Sequence, residues 1–334
     1  MAKRRVVVVT GATSGVGRAT AEAFGREGAA VALLARGDEG LEGARRDVDE
    51  AGGVALPLTV DVASAEEVDA AADRVEEELG PIDVWVNNAM TTVFAEFADI
   101  EPDEFRRATE VTYLGSVWGA RSALRRMLPR DRGTIVQVGS ALAFRGIPLQ
   151  SPYCGAKHAL QGFVESLRCE LRHRQSNVWL TSVHLPGLNT PQFDHCRSKM
   201  PHTPQPVPPI YQPEVAADAI VWAAHARRRT VYVGASTVGT ILANRIAPSL
   251  VEWYLAKTGY SSQQTAHAAG GERAGNLFEV VPGDPGAHGD FDAQAHEHSV
   301  QLTATKHRRL LAGAAGLGAG VLVGGLAAVI RPGA

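Results

Sequence analysis

The chain has 334 residues, which is enough for one large domain and an appendage. It carries 33 basic and 36 acidic residues, and a formal net charge of -3 gives no indication of nucleic-acid binding. The three cysteines Cys154, Cys169 and Cys196 cannot form a paired disulfide framework, which favours a reducing compartment.

The first predicted unit is a strand, a glycine-rich turn and a helix. Residues 5–10 are β-branched and apolar, as in a strand buried on both faces, and they follow the N-terminal methionine so closely that we expect no signal peptide. The turn GATSGVG, residues 11–17, comes directly afterwards. Glycines let the backbone approach a phosphate, and a helix N-terminus offers free N–H groups. This unit therefore predicts a cradle for the pyrophosphate of a dinucleotide.

The second predicted strand, residues 30–35, ends at Arg36. In dinucleotide-binding folds an acidic residue near this place binds the ribose 2′-hydroxyl, whereas an arginine accommodates the 2′-phosphate of NADP. Arg36 therefore favours NADP(H) over NAD(H), with Ser14 or Arg18 as helpers. Asp38 lies two residues further on and keeps NAD(H) open as the alternative.

Strands and helices alternate through most of the remaining chain. Strands are predicted at 54–60, 82–86, 134–138, 178–184 and 230–233, and helices at 41–51, 64–79, 105–127, 155–172 and 213–225. Ser64 and Glu67 form a capping box at the start of one helix. This alternation predicts an α/β fold with a Rossmann-type, doubly wound parallel sheet in three layers.

The candidate catalytic residues surround the predicted strand 134–138 and the helix after it. Tyr153 and Lys157 are one helical turn apart and would point the same way. An ammonium beside a phenol favours the phenolate and lowers the tyrosine pKa, so the pair could exchange a proton with a carbonyl or an alcohol. Ser140, at the end of the strand, would hold the substrate oxygen. Taken alone, such a Tyr–Lys pair can also be a chance feature of a solvated helix.

These motifs together resemble the short-chain dehydrogenase/reductase family along about residues 5–235. The resemblance is carried by the turn at 10–17, Asn87-Asn88-Ala89, Ser140, Tyr153, Lys157 and Pro186-Gly187. It implies a hydride-transferring oxidoreductase that interconverts a carbonyl and an alcohol, with Ser140, Tyr153 and Lys157 as its catalytic residues. It also implies a homo-oligomer and a small-molecule substrate.

The predicted cofactor contacts follow from the turn, from Arg36 and from the resemblance. They are Gly11, Thr13, Ser14, Gly15, Val16, Gly17, Arg36, Asp61, Val62, Asn88, Ala89, Tyr153, Lys157, Pro186, Gly187 and Thr190. By resemblance, Asp61 and Val62 would flank the adenine ring, and Thr190 would lie near the nicotinamide carboxamide.

Two positions depart from the family pattern. Met90 stands where the family usually has glycine, and Thr112 stands where it commonly has the asparagine of a water relay to the catalytic lysine. These departures support an alternative function, a non-catalytic NADP-binding scaffold or sensor associated with a membrane. The intact Ser140, Tyr153 and Lys157 set favours the enzyme, because a binding module has no need of all three.

Two segments of the second half are predicted to border the substrate. Residues 191–213 are rich in proline and resemble a substrate lid. Within them His195, Cys196 and His202 match no known metal spacing, so we expect no metal. Residues 240–256 predict one amphipathic helix that covers the pocket or a subunit contact. Such an apolar helix suits a lipophilic substrate.

The C-terminal third differs in composition from the catalytic domain, predicted at residues 1–260. Residues 261–305 are poor in apolar residues and predict a flexible linker in which residues 276–278 could dock on the body.

Residues 306–334 predict a membrane anchor. Residues 310–330 are uncharged, and a helix of that length spans about 31 Å, close to a bilayer core of about 30 Å. The preceding basic residues place the enzyme at the cytoplasmic face of the membrane. Because glycine and alanine dominate the segment, a soluble cytoplasmic protein is the alternative.

Overall fold

The computed structural model describes residues 4–308. Its strands are β1 (Val6–Thr10), β2 (Ala30–Ala35), β3 (Val54–Thr59), β4 (Val84–Asn87), β5 (Val93–Phe94), β6 (Thr134–Ser140), β7 (Trp179–Leu185), β8 (Gly187–Leu188), β9 (Arg197–Ser198), β10 (His202–Pro204), β11 (Ile210–Tyr211), β12 (Thr230–Tyr232), β13 (Gln264–Ala268) and β14 (Ala295–His296). Its α-helices are α1 (Gly15–Arg26), α2 (Asp38–Glu50), α3 (Ala65–Glu78), α4 (Pro102–Thr109), α5 (Gly115–Met127), α6 (Ser151–His173), α7 (Gln192–His195), α8 (Pro213–Ala226), α9 (Ala235–Ile246), α10 (Pro248–Thr258) and α11 (Val300–Lys306).

Seven parallel strands form the central sheet in the order β12-β7-β6-β4-β1-β2-β3. Alternate residues of β1 point to opposite faces, as the pleat requires. Val7 and Val9 join the core under α1, α2 and α8, whereas Val6 and Val8 join the core under α3, α5 and α6. The predicted doubly wound, three-layered Rossmann-type fold is confirmed. The strand order reverses direction between β1 and β4, where such sheets bind their ligands.

Local sequence signals set several element boundaries. The Ser64 hydroxyl accepts a hydrogen bond from the Glu67 N–H at 3.2 Å, which confirms the predicted start of α3. The helix predicted at 105–127 is interrupted by a π-helical turn, Glu110–Leu114, between α4 and α5. Such turns are often found at functional sites, and here Val111 lines the cleft described below.

The single helix predicted at 240–256 is wrong. The structure has two helices, α9 and α10, that meet at Ala247 and Pro248. A proline lacks the N–H that a continuous helix needs and clashes with the preceding turn, so it starts a new helix instead.

The structure also corrects the prediction of a flexible linker at 261–305. Strand β13 pairs antiparallel with β10, and three apolar side chains are buried against the body, Leu277, Phe291 and Leu302. Within residues 276–278, the Asn276 side-chain oxygen accepts a hydrogen bond from the Thr91 hydroxyl and Leu277 is buried, while Phe278 is exposed. A segment with few apolar residues is held here because it adds backbone hydrogen bonds and a few anchors to an existing core, without building one of its own.

Most of the predicted membrane anchor, residues 309–334, lies outside the described residues. Between residues 4 and 308, each helix is too short or too polar to cross a bilayer.

Candidate active site

Three predicted catalytic residues line one cavity at the carboxyl end of β6. Ser140 is the last residue of that strand, and its hydroxyl accepts a hydrogen bond from the Leu142 N–H at 3.1 Å. Tyr153 and Lys157 lie on the first two turns of α6 and face the same cavity. The Lys157 ammonium nitrogen lies 5.4 Å from the centre of the Tyr153 ring. The one-turn spacing thus produces the predicted side-by-side arrangement.

Burial dominates the proton equilibria of the pair. Lys157 is 3% exposed, and burial lowers its pKa to about 8. Its ammonium donates a hydrogen bond to the Val138 carbonyl at 2.8 Å. Burial raises the pKa of the half-buried Tyr153, and a hydrogen bond with Ser140 opposes this rise. In the structure, burial raises the tyrosine pKa, which is opposite to the lowering by Lys157 that the sequence predicts.

His184 supports Ser140 from the neighbouring strand, and sequence reasoning missed it. Burial lowers the pKa of His184 to about 4, so the ring is neutral at physiological pH. Its Nδ1 lies 3.3 Å from the Ser140 carbonyl oxygen, which requires the Nδ1–H tautomer. Gly139 makes room for the ring, because a Cβ there would lie 2.4 Å from Nδ1. A histidine near the end of a strand gives no signal in sequence of what lies opposite it.

A second cleft runs along the carboxyl ends of β1, β2 and β4 and has a volume of about 200 Å³. The predicted cofactor residues that line it are Gly11, Thr13, Ser14, Gly15, Val16, Arg36, Asp61, Val62, Asn88, Ala89 and Thr190. Gly17 lies directly behind the turn, and a Cβ there would lie 2.0 Å from the Gly11 carbonyl oxygen. The backbone of Gly15 has a φ of 53°, which favours glycine.

The cleft and the catalytic cavity share a wall. Val16, Asn88, Met90 and Thr190 line both, and the other predicted contacts, Tyr153, Lys157, Pro186 and Gly187, line the catalytic side. An extended dinucleotide laid along the strand ends would reach from the glycine turn to Tyr153. The residues present therefore fit a nicotinamide dinucleotide.

The far end of the cleft is rich in charge. Asp61 pairs with Arg107, and although burial opposes it, this contact holds the pKa of the Asp61 carboxyl below its usual value. Arg36 lines the cleft, whereas Asp38 is exposed and accepts a hydrogen bond from the Thr59 hydroxyl at 2.6 Å. Arg18, considered as a helper for a 2′-phosphate, is instead buried and ion-paired with carboxylates.

The two departures from the family pattern have different surroundings. Met90 lies at the junction of the cleft and the catalytic cavity. Thr112 is fully buried, and its hydroxyl donates to the Thr91 carbonyl at 2.8 Å and accepts from the Thr91 N–H at 3.0 Å. Thr112 thus fastens the backbone next to Met90, and both hydrogen bonds of its hydroxyl are made with the Thr91 backbone.

The catalytic cavity has a volume of about 520 Å³. Apolar side chains form most of its wall, among them Leu142, Ile147, Val207, Val251, Tyr254 and Leu255. Residues 205–208 of the proline-rich segment line one side, and α9 and α10 line another, so both predicted segments border the cavity that holds Ser140, Tyr153 and Lys157. Gln150 and Arg145 supply polar groups.

Comparison with known proteins identifies the class. The profile of the short chain dehydrogenase family matches residues 5–201, which is more than half of the chain. The protein therefore belongs to the short chain dehydrogenase family and is an oxidoreductase.

Individual relatives agree with this assignment. An uncharacterized oxidoreductase, YxnA, of Bacillus subtilis is 32% identical over 280 residues, covering 83% of this chain and 79% of the relative. A 3-dehydrosphinganine reductase of Danio rerio is 34% identical over 192 residues, covering 56% of this chain and 57% of the relative. The crystal structure of an actinorhodin polyketide ketoreductase variant with NADPH superposes with a TM-score of 0.61 at 28% identity, covering 69% of this chain and 95% of that chain.

Proposed function

We propose that the protein is an NADP(H)-dependent oxidoreductase that interconverts a lipid-like ketone and the corresponding alcohol. The observation that carries this proposal is the convergence of Ser140, Tyr153 and Lys157 on one cavity that continues into the glycine-lined cleft. A serine hydroxyl, a phenol and an ammonium on one side of a carbonyl are the groups that proton transfer to its oxygen requires.

In the reduction, the Ser140 hydroxyl would donate a hydrogen bond to the substrate carbonyl and orient it. Tyr153 would give its proton to the carbonyl oxygen, and Lys157 would stabilise the resulting phenolate. A bound nicotinamide would supply the hydride that reaches the carbonyl carbon. In the oxidation, Tyr153 would take the proton from the alcohol.

The preference for NADP(H) rests on Arg36. It is the basic residue at the end of β2 and it borders the cleft, while the competing Asp38 is exposed and bonded to Thr59. The ketoreductase that superposes on this fold was crystallised with NADPH. A guanidinium suits a 2′-phosphate, whereas a ribose hydroxyl calls for a carboxylate.

The lipid-like substrate rests on the cavity and its surroundings. The wall is mostly apolar, and Tyr254 both lines the cavity and is exposed at its mouth. The helices α9 and α10, which line the cavity, also expose Leu242, Ile246, Leu250 and Trp253, with Ile246 82% exposed. The Danio rerio relative is named for 3-dehydrosphinganine. Contiguous exposed apolar groups mark binding surfaces for apolar ligands or membranes.

We also propose that residues 306–334 tether the enzyme to the cytoplasmic face of a membrane, since residues 310–330 are uncharged over the length of a bilayer core. Membrane fractionation of the full chain and of residues 1–305 tests this tether. Sedimentation of the full chain alone with membranes is the expected result, and equal distribution of both forms would contradict it.

The function is tested by titrating the purified protein with NADPH and NADH while nicotinamide fluorescence is followed. The same protein is then assayed with ketones of increasing chain length. We expect tighter binding of NADPH and turnover that rises with chain length. A preference for NADH would move cofactor recognition to Asp38, and binding without turnover of any ketone, aldehyde or alcohol would favour the non-catalytic alternative.

A further inference from the structure

A segment far along the chain crosses the adenosine end of the cofactor cleft. We call residues 276–286 the strap. Its Leu277 is 0% exposed and packs in a cluster with Val93, Ala95 and Ala108. Near its other end, the Asp284 carboxylate accepts a hydrogen bond from the buried Arg18 guanidinium at 2.8 Å. Both ends of the strap are thus anchored in the body.

The strap also lies on a glycine-lined face of α2. Three glycines spaced three residues apart lie against the strap, and the first of them, Gly37, is the N-cap of α2. A Cβ added to each would come close to a strap side chain: 2.8 Å from Val280 at Gly37, 3.3 Å from Pro285 at Gly40, and 2.0 Å from the Asp284 carboxylate at Gly43. Glycine inside a helix costs about 1 kcal/mol relative to alanine. At Gly43 that cost accompanies a close contact which alanine would not allow.

The strap uses two groups that the cofactor would need. The Arg36 guanidinium donates hydrogen bonds to the backbone carbonyls of Phe278, at 2.9 Å, and of Asn276. The Gly15 N–H, in the turn that would cradle the pyrophosphate, donates to the Gly286 carbonyl at 3.0 Å. These carbonyl oxygens accept the same hydrogen bonds that phosphate oxygens would accept.

We infer that the strap is a selectivity element of the cofactor site that competes with the adenosine end of the dinucleotide. The inference rests on the proposed function. While the strap is docked, the carbonyl oxygens around Arg36 oppose the approach of a 2′-phosphate, because their partial charge is negative. The apparent dissociation constant then equals the intrinsic one divided by the fraction of molecules in which the strap is open.

The competition affects the two cofactors unequally. The Gly15 N–H would bind the pyrophosphate of both dinucleotides, whereas Arg36 would bind the 2′-phosphate that NADPH alone carries. Release of the strap therefore tightens binding of both cofactors and tightens NADPH more. The docked strap lowers the preference for NADPH that Arg36 would otherwise provide.

The first test is Gly43→Ala, which pushes the Asp284 carboxylate away while it favours the helical conformation of α2. Gly162→Ala is the matched control, because Gly162 lies in α6 with no heavy atom within 4 Å of its Cβ position. Fluorescence titration is expected to show NADPH bound at least about threefold more tightly by Gly43→Ala, and a higher NADPH to NADH preference. Gly162→Ala should match the wild type. Unchanged or weaker NADPH binding by Gly43→Ala would overturn the inference.

A second pair of variants and a second measurement allow the inference to be tested even if Gly43→Ala does not fold. Leu277→Ala loosens the strap, and Leu302→Ala removes another buried leucine of the same C-terminal segment, which packs in a different cluster, the core under α1, α2 and α8. We expect tighter NADPH binding for Leu277→Ala only.

Hydrogen exchange on the wild type should show loss of protection at the Asn276 and Gly283 amides when NADP is added, since these amides donate hydrogen bonds to the His195 carbonyl and the Glu39 carboxylate in the docked strap. Increased protection would make the strap a clamp and overturn the competition.

The two proposals fail in different ways. If the wild type and all four variants bind neither dinucleotide, the proposed function fails. If the wild type binds NADPH while the paired variants behave alike and amide protection is unchanged, the cofactor assignment stands and the competition alone is refuted.

Discussion

The catalytic end and the adenosine end of the site are assembled in opposite ways. Ser140, Tyr153 and Lys157 come from one strand and the helix that follows it in the chain. At the adenosine end, Arg36 bonds to Phe278 and Asn276, more than two hundred residues away. The first group is set by local geometry, and the second depends on the docking of a distant surface segment.

The two ends also differ in how firmly their residues are held by the core. Lys157 lies on α6, is buried, and donates a hydrogen bond to the Val138 carbonyl, so it is held within the core. The strap lies on the surface and is held by one buried leucine, an ion pair and backbone hydrogen bonds. Segments with few buried contacts open at lower free energy than the core. We therefore expect changes in the strap to alter cofactor access without disturbing Ser140, Tyr153 and Lys157.

The largest expected effect separates catalysis from binding. Tyr153→Phe removes the proton donor while keeping the ring, so turnover should fall by about 10²- to 10⁴-fold. The dissociation constant for NADPH, measured by fluorescence titration, should stay at the wild-type value. A parallel loss of binding and turnover would show that the two ends are coupled, and full turnover would remove Tyr153 from the mechanism.

A second prediction concerns the binding of NADPH by the glycine turn. In Gly17→Ala the new Cβ would lie 2.0 Å from the Gly11 carbonyl oxygen and 2.6 Å from the Asn88 amide nitrogen, so the turn must shift. We expect NADPH affinity to drop by at least about tenfold, which is about 1.4 kcal/mol of binding free energy. Gly162→Ala is the control, and circular dichroism verifies the fold of both variants. Wild-type affinity in Gly17→Ala would mean that the turn does not cradle the cofactor.

The smallest effect concerns the charge on Lys157. Its folded-state pKa of about 8 lies below its usual 10.5, so between these values the unfolded chain binds more protons and stability rises with pH. Above about pH 10 the raised pKa of Tyr153 has the opposite effect, because the folded chain then keeps a proton that the unfolded chain loses. Between pH 8 and 10 the wild type should gain roughly 1 kcal/mol per pH unit relative to Lys157→Met.

Urea unfolding of both proteins at half-unit steps of pH measures this gain. A constant difference between the wild type and Lys157→Met across the window would show that Lys157 titrates in the folded protein as it does in solvent.

Several features followed from the sequence because short-range chain geometry decides them. A β-branched run followed by a glycine turn and a helix can only place the turn at the end of a buried strand. Tyr153 and Lys157 share a helix face because they are four residues apart. The cap at Ser64 formed as predicted for the same reason.

Other features required the folded chain. The support of Ser140 by His184 and the pairing of Arg18 with Asp284 both depend on which elements become neighbours. Residues 261–305 are rich in Gly, Ala, His, Asp and Glu and poor in apolar residues, and this composition predicted a linker. Composition indicates whether a segment can build a core of its own, but not whether it can add to an existing one.

The amino-acid sequence by itself therefore determined the sheet, the glycine cradle and the placement of the predicted catalytic residues, all of which arise from patterns within a few turns of the chain. The tertiary structure alone decided the balance of pKa values in the catalytic pair and the cover over Arg36. Burial depends on everything that surrounds a side chain, and the strap reaches Arg36 from 240 residues away, a distance over which no local pattern carries information.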